Sequence, residues 1–135
     1  MNMHIVNNTT TSNTQLLQIV RPIWLLRAEG AILLAAAIWL YAIYSGNWLL
    51  FALLLLAPDL SMLGYLRDSR LGATTYNIAH TLVLPALLIA TSFLLGNMVA
   101  VGLALIWFAH IGMDRMMGYG PKYPTEFKDT HLGKV

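Results

Sequence analysis

Four apolar segments, each long enough to cross a lipid bilayer, dominate this sequence. They cover residues 22–44, 47–66, 72–95 and 98–117. A transmembrane helix needs about 20 predominantly apolar residues. Because only short turn-forming stretches separate the segments, consecutive helices are expected to run antiparallel. The sequence therefore predicts an all-α integral membrane protein that folds as an up-down four-helix bundle.

The composition agrees with a membrane location. Of the 135 residues, 58% are hydrophobic and 10% are charged, whereas about 25% of the residues in an ordinary soluble domain are charged. The net charge of +2 comes from scattered basic residues, so the sequence does not indicate nucleic-acid binding. The chain contains no cysteine, which excludes disulfide bonds and thiolate metal ligands.

The chain divides into three parts. Residues 1–20 lack Lys, Arg, Asp and Glu and do not show the pattern of a signal peptide. We expect them to form a disordered polar tail. Residues 21–118 hold the four-helix transmembrane domain. Residues 119–135 are expected to lie along the cytoplasmic interface, with Tyr119 and Tyr123 at the level of the lipid head groups.

The basic residues predict the orientation in the membrane. Every Lys and Arg lies beside the same ends of the predicted helices, namely Arg21, Arg27, Arg67, Arg70, Arg115, Lys122, Lys128 and Lys134. The turns at 45–47 and 96–97 contain none. Since short cytoplasmic segments carry an excess of Lys and Arg, both termini are predicted to face the cytoplasm.

Five ionisable side chains lie within the predicted helices at a matching depth. They are Glu29, Asp59, His80, His110 and Asp114. Because the helices alternate in direction, all five fall in the cytoplasmic half of the bilayer. An unpaired charge there costs about 2.5 kcal/mol or more, so such groups face the bundle interior or a water-filled cavity.

Two carboxylates and two imidazoles at one level are a ligand set for a divalent metal. His110 and Asp114 are four residues apart and therefore share one helix face. Imidazole and carboxylate ligands suit Zn, Mn or Fe(II). We therefore predict that the metal ligands are Asp59, His80, His110 and Asp114. Pro58 and Pro85 are expected to permit helix kinks nearby.

Structural roles for these residues stay open at this stage. His110 and Asp114 would then form a hydrogen-bonded pair. Asp59 would bond to a neighbouring helix, and His80 would be a satisfied core histidine. For Glu29, which is close to the interface, a salt bridge or a solvated carboxylate is favoured.

Dense motifs along the chain resemble a family of bacterial membrane proteins. The motifs are APDLSMLGYL, YNIAHTLVLP, AHIGMDRMMGYGPKYP and FKDTHLG. Together, from about Arg27 to Gly133, they resemble the family known as domain of unknown function 4260. The resemblance implies a multi-pass protein of the bacterial inner membrane, and the family brings no established activity.

A more distant likeness is to the membrane-bound metal-dependent hydrolases, which carry Pro-Asp-x-Asp, one or two histidines on the next helix and a later His-x-x-x-Asp. The residues that match these motifs are Asp59, His80, His110 and Asp114. Ser61 stands where that family has its second acid. Asp129 and His131 would supply further ligands if the C-terminal tail folds over the cytoplasmic mouth of the bundle.

The leading hypothesis is a small metal-dependent hydrolase that acts at the cytoplasmic leaflet on a lipid-like or other amphiphilic ester. In this hypothesis a metal-activated water attacks the ester, and Arg115 or Arg67 steadies a phosphate. One alternative is a proton- or cation-coupled transporter subunit that works as a homodimer. Another is a structural or assembly protein in which the polar cluster fixes the helix register.

Overall fold

The computed structural model describes residues 22–123 and Leu132. All regular elements within these residues are helices, which confirms the predicted all-α class. Four stretches are long and apolar enough to cross a membrane: Pro22–Tyr44, Trp48–Leu66, Ser69–Leu94 and Met98–Met117. The prediction of four helical stretches with the length and apolarity of membrane spans is therefore confirmed. The up-down order and the cytoplasmic termini stay predictions.

Two predictions concern residues outside this described part of the chain. The disordered tail was assigned to residues 1–20, and the supplementary ligands were Asp129 and His131. All of these lie outside the described residues.

Two of the four stretches are interrupted, so residues 22–123 form five α-helices and one 3-10 helix. These are α1 (Pro22–Tyr44), α2 (Trp48–Leu54), the 3-10 helix (Ala57–Leu66), α3 (Ser69–Ala79), α4 (Val83–Leu94) and α5 (Met98–Met117).

Both interruptions lie next to a proline. Pro58 is at the start of the 3-10 helix, and Pro85 is in the first turn of α4. Because proline lacks a backbone N–H and its ring crowds the preceding turn, a regular α-helix does not continue through it without distortion. The kinks that the sequence predicts at these two positions are therefore observed as breaks between helices.

Asparagine and aspartate side chains begin three of the helices. The side chains of Asn47, Asp68 and Asn97 each accept a hydrogen bond from the backbone N–H three residues later. These contacts satisfy N–H groups that have no partner within the helix. The turn signals in the sequence thus act as helix caps.

Helix α5 is the centre of the fold. Half of its residues are buried, a much larger share than in the other membrane-crossing stretches. Both α1 and α4 pack against it, while α3 packs against the 3-10 helix. A cluster of buried apolar side chains fills the contact between α1 and α5: Tyr41, Val101, Leu105 and Ile106.

Two glycines allow α1 and α5 to approach closely. A Cβ atom built on Gly112 would lie 2.6 Å from the backbone nitrogen of Leu34, and one built on Gly30 would lie 2.5 Å from that of Met116. Both distances are too short for any side chain. Gly112 lies nearly opposite His110 and Asp114 on α5, at about 100° of rotation per residue. The contact with α1 therefore fixes the direction in which His110 and Asp114 point.

The chain reverses at the end of α5. Gly118 adopts a left-handed conformation with φ 93°, and the backbone N–H of Tyr119 donates to the carbonyl oxygen of Asp114 at 2.8 Å. Glycine is favoured at such a helix end because it has no Cβ. The reversal brings Lys122 against Asn77 of α3.

Candidate metal centre

Four ionisable side chains from three elements meet inside the protein. Asp59 comes from the 3-10 helix, His80 follows the last residue of α3, and His110 and Asp114 come from α5. One nitrogen or oxygen atom from each side chain lies within 4.8 Å of the other three. Four of the five residues that the sequence placed at one depth thus form a single cluster, and Glu29 lies outside it.

The distances within the cluster resemble those between the ligands of one metal ion. Nε2 of His80 lies 2.9 Å from Nε2 of His110, and 3.4 Å from Oδ1 of Asp59 and from Oδ2 of Asp114. Nε2 of His110 lies 3.5 Å and 3.7 Å from the same two oxygens. Tetrahedral ligands at about 2.0–2.1 Å from an ion are about 3.3–3.4 Å apart. The four ligand atoms all lie within 4.8 Å of one another, a wider spread than ideal tetrahedral spacing, and the four residues could hold one such ion.

The local structure of α3 orients His80. Its backbone N–H donates to the carbonyl oxygen of Tyr76, and its Nδ1 lies 2.8 Å from that same oxygen. Because a carbonyl oxygen only accepts hydrogen bonds, Nδ1 carries the proton and Nε2 offers a lone pair to the cluster. The end of α3 is also fixed to α5, since Nε1 of Trp107 donates to the carbonyl oxygen of Ala79 at 2.6 Å.

A second contact from Tyr76 orients Asp114. The Tyr76 hydroxyl donates to Oδ2 of Asp114 at 3.0 Å. The Tyr76 ring also stacks on the ring of His80, with 3.7 Å between the centroids. Tyr76 therefore holds one residue of the cluster through its carbonyl group and another through its hydroxyl group.

The cluster has more acceptors than donors. Nε2 of His80 and the oxygens of Asp59 and Asp114 all present lone pairs, and only Nε2 of His110 is available to carry a proton among these four atoms. The Tyr76 hydroxyl donates to Asp114, and the one proton at Nε2 of His110 cannot satisfy both remaining acceptors. Buried carboxylates are costly unless a positive charge balances them. The four side chains could therefore hold a cation near their centre.

A cavity of about 270 Å³ opens onto the two carboxylates. Its lining residues are Leu56, Asp59, Met62, Tyr76, Met113, Asp114, Met117, Tyr119 and Lys122. The side chain of Asp59 is 35% exposed, whereas that of His110 is fully buried. The cluster is thus enclosed on the histidine side and accessible on the side of Asp59.

Lys122 also lines this cavity, although the sequence predicts it only as an interfacial basic residue. Its backbone N–H donates to Oδ1 of Asn77 at 2.7 Å, and Nδ2 of Asn77 donates to its carbonyl oxygen at 2.9 Å. Its Nζ lies 4.2 Å from the centroid of the Tyr76 ring. Burial lowers the pKa of Lys122, and the carboxylates of Asp114 and Asp59 oppose this shift.

The other predicted polar residues lie outside the cluster. The Cβ of Arg115 packs against Gly30 of α1, and Arg115 is not among the residues that line the cavity. Arg67 is exposed after the 3-10 helix, and Glu29 is exposed on α1. Ser61 accepts a hydrogen bond at its carbonyl oxygen from the Thr75 hydroxyl. The cluster that the structure brings together therefore lacks Arg115.

Helices and cluster together define a class: a multi-pass helical membrane protein with two histidines and two aspartates gathered in its interior. The family model described as "Domain of unknown function (DUF4260)" matches residues 23–135. The chain belongs to this family, which confirms the resemblance noted in its motifs. No curated protein matches the chain, and no solved structure matches it.

Proposed function

We propose that this protein is a metal-dependent membrane hydrolase with one divalent ion in the cluster. The proposed ligands are Asp59, His80, His110 and Asp114. The observation that carries the proposal is their convergence, since three lone-pair acceptors and one further nitrogen surround a common point at distances that suit one ion. A divalent cation would balance the two carboxylates and accept all four lone pairs.

The donor set favours zinc, manganese or ferrous iron. Imidazole nitrogen and carboxylate oxygen are ligands that these ions share. When bound, such an ion supplies Lewis-acid activation of water and of an ester or phosphoryl oxygen. The residues around the ligands then have separate tasks: the Tyr76 carbonyl keeps the His80 tautomer, and the Tyr76 hydroxyl orients Asp114.

Access to the cluster supports a catalytic rather than a purely structural role. Structural zinc sites are closed by four protein ligands, while catalytic sites keep an open position. Here the cavity reaches Asp59 and Asp114, and Asp59 is the most exposed member of the cluster. A bound ion could therefore take a fifth ligand, water or substrate, on the side of Asp59 that faces the cavity.

The cavity walls support an amphiphilic substrate. Besides the carboxylates of Asp59 and Asp114, the cavity is lined by the apolar side chains of Leu56, Met62, Met113 and Met117 and by Tyr76, Tyr119 and Lys122. Asp114 lies three residues before the last residue of α5, which is about 4.5 Å along the helix axis. An ester whose head group enters from the interface would reach the cluster while its chain contacts the methionines. The distribution of Lys and Arg supports the cytoplasmic leaflet.

Hydrolysis should depend on the metal and on Asp59. Protein purified in a neutral detergent is assayed with long-chain umbelliferyl esters of carboxylic and phosphoric acids, before and after chelation. We expect chelation to abolish turnover and metal addition to restore it. Asp59→Asn should lower the rate about tenfold or more, because a weakly binding amide replaces a carboxylate ligand, and even residues that only orient metal ligands contribute about 10- to 100-fold.

Asp68→Asn is the matched control for this experiment. Asp68 caps α3 through the N–H of Leu71 and lies outside the cluster, and asparagine caps a helix as well as aspartate does. Its rate should equal that of the wild type. Full metal content without turnover of any ester would contradict the hydrolase proposal and favour the structural or transport alternatives.

Tyr76→Phe should weaken metal binding without disturbing the fold. The substitution removes the hydroxyl that donates to Asp114 but keeps the ring that stacks on His80. We expect about a tenfold loss of affinity, since groups that orient metal ligands typically contribute about 10- to 100-fold. Competition with a fluorescent zinc chelator measures the change.

Tyr41→Phe provides the comparison for Tyr76→Phe. Its hydroxyl donates to the carbonyl oxygen of Asn47, in the turn after α1. Tyr41→Phe removes an equivalent buried hydroxyl away from the cluster, so it should leave metal affinity unchanged. Equal metal affinity in both variants would show that the contact between Tyr76 and Asp114 does not support a bound ion.

A further inference from the structure

The cavity beside the cluster contains a cationic side chain that the metal proposal does not use. We propose that Lys122 binds an anionic head group, phosphate or carboxylate, of the amphiphile that enters this cavity. This inference rests on the proposed function, because it names the substrate class of the same site. The sequence suggested that Arg115 or Arg67 steadies a phosphate, and the inference assigns this role to Lys122 instead.

The position of Lys122 supports this role. Its side chain lines the same cavity as Asp59 and Asp114, and Lys122 is only 6% exposed. Its Nζ lies over the Tyr76 ring at 4.2 Å and over the Tyr65 ring at 5.6 Å. Since the Tyr76 hydroxyl donates to Asp114, one side chain spans the distance between the ammonium group and the proposed metal ligands.

Hydrogen bonds also hold the backbone of Lys122 in place. Two hydrogen bonds with the Asn77 amide hold it, and Asn77 lies three residues before His80 on the chain. The residues that place Lys122 and those that place the cluster therefore belong to the same part of α3. A ligand group between them would meet both at defined positions.

Charge complementarity favours an anion in this cavity once an ion is bound. The carboxylates of Asp59 and Asp114 attract Lys122. A divalent ion would offset these two negative charges, so the ammonium group of Lys122 would give the cavity a net positive charge. In surroundings of low dielectric constant, the field of this charge is strong and favours a negatively charged ligand.

The rest of the cavity indicates what else the ligand carries. Leu56, Met62 and Met113 supply apolar surface, and methionine adapts to chains of varied shape. Tyr119, at the edge of the cavity, is 52% exposed. An alkyl chain would thus bury apolar surface there, so the cavity fits an anionic amphiphile better than a free inorganic anion.

Calorimetric titration of the full chain in a neutral maltoside detergent tests this inference. The probes are dodecyl phosphate, 1-dodecanol and inorganic phosphate, each added to zinc-treated protein. Dodecyl phosphate should bind about 10- to 100-fold more tightly than 1-dodecanol, as expected for a hydrogen bond between charged groups. It should also bind more tightly than inorganic phosphate, which lacks the chain.

Variants assign the preference to Lys122. Lys122→Met should remove most of the preference for dodecyl phosphate over 1-dodecanol, and Lys122→Arg should retain it. Arg67→Met is the matched control, since Arg67 is exposed and outside the cavity, and it should bind as the wild type does. Undiminished binding by Lys122→Met would overturn the inference.

Measurements on the wild type keep the test independent of how well the variants fold. Equal affinity of the wild type for dodecyl phosphate and 1-dodecanol would overturn the anionic part of the inference, and equal affinity for inorganic phosphate would overturn the amphiphilic part. Metal content and ester hydrolysis are measured in the same samples. Selective binding of dodecyl phosphate by protein that holds no metal and hydrolyses no ester would overturn the proposed function and support the role of Lys122. Metal binding and ester hydrolysis without selective binding of dodecyl phosphate would overturn the role of Lys122 alone.

Discussion

His110→Ala should lower the affinity of the protein for its metal by about 100- to 1,000-fold. Apparent binding free energies of structural zinc sites are about 10–16 kcal/mol, so each of four ligands contributes about 2.5–4 kcal/mol, which corresponds to this range. His110 is the least exposed of the four side chains, and its Nε2 lies within 3.7 Å of an atom from each of the other three. No water is expected to replace its imidazole without rearrangement.

Elemental analysis of purified protein measures this effect. The wild type should contain about one zinc, manganese or iron ion per chain, as expected for a single four-ligand site, and His110→Ala should contain almost none. Ser92→Ala is the control, because Ser92 is also buried but bonds to the Leu88 carbonyl of its own helix. A wild type without metal would indicate that shared protons, rather than an ion, balance the carboxylates of the cluster.

Gly112→Ala should destabilise the protein and weaken the cluster together. The new methyl group would lie 2.6 Å from the backbone nitrogen of Leu34 and 2.9 Å from the carbonyl oxygen of Gly30. Because these are backbone atoms of α1, no side-chain rotation relieves the overlap. Overpacking of this kind lowers the free energy of unfolding by about 1–3 kcal/mol and occasionally more. Because the neighbouring atoms are rigid, we expect the loss for Gly112→Ala to be at the upper end of this range.

The weaker metal binding would follow from the separation of α1 and α5. A shift or rotation of α5 would displace His110 and Asp114 together, while Asp59 and His80 stay on other elements. Unfolding in mixed detergent, monitored by circular dichroism, gives the stability, and zinc competition gives the affinity. Loss of both is expected.

Gly102→Ala is the matched control on the same helix. Its added methyl group would lie 3.1 Å and 3.2 Å from the side-chain atoms of Ser45. Ser45 is exposed at the end of α1 and can move by a few tenths of an ångström. This variant should therefore be less destabilised and keep its metal affinity, and equal losses in both variants would refute the role of the backbone contact.

Much of the fold follows from the sequence because a membrane-crossing helix needs an apolar segment of about 20 residues. Apolar runs of bilayer length predicted all four membrane-crossing stretches, and the residues between them predicted the turns at Asn47, Asp68 and Asn97. The two interruptions were signalled by Pro58 and Pro85. The sequence does not predict the 3-10 geometry after Pro58, because a proline removes a hydrogen bond without specifying which conformation replaces it.

The candidate site was predictable in its members but not in its geometry. Depth along each helix selected Asp59, His80, His110 and Asp114, since depth follows from residue counting. The rotation of each helix about its axis depends on contacts such as that of Gly112 with α1, and hydropathy does not encode it. For the same reason Arg115 was grouped with its neighbour Asp114, although the two side chains point in different directions.

The contacts of Lys122 and Tyr76 with residues far away in the sequence could not be predicted from local sequence patterns. The hydroxyl of Tyr76 meets a residue 38 positions away, and Lys122 reaches Asn77 across 45 positions. The contact of Tyr76 depends on the position of α3 beside α5, and that of Lys122 depends in addition on the reversal of the chain at Gly118. No spacing in the sequence announces them, so the basic residue that lines the cavity was identified only from the structure.

The origin of the four side chains has a mechanical consequence. Asp59 and His80 belong to the pair formed by the 3-10 helix and α3, whereas His110 and Asp114 belong to α5, which is held by α1. An ion shared by these two halves would tie them together as a non-covalent cross-link. Loading the ion would then add to the hydrogen bonds that Tyr76 and Ala79 already make with α5 and stiffen the bundle, and withdrawing it would loosen the link between the two halves.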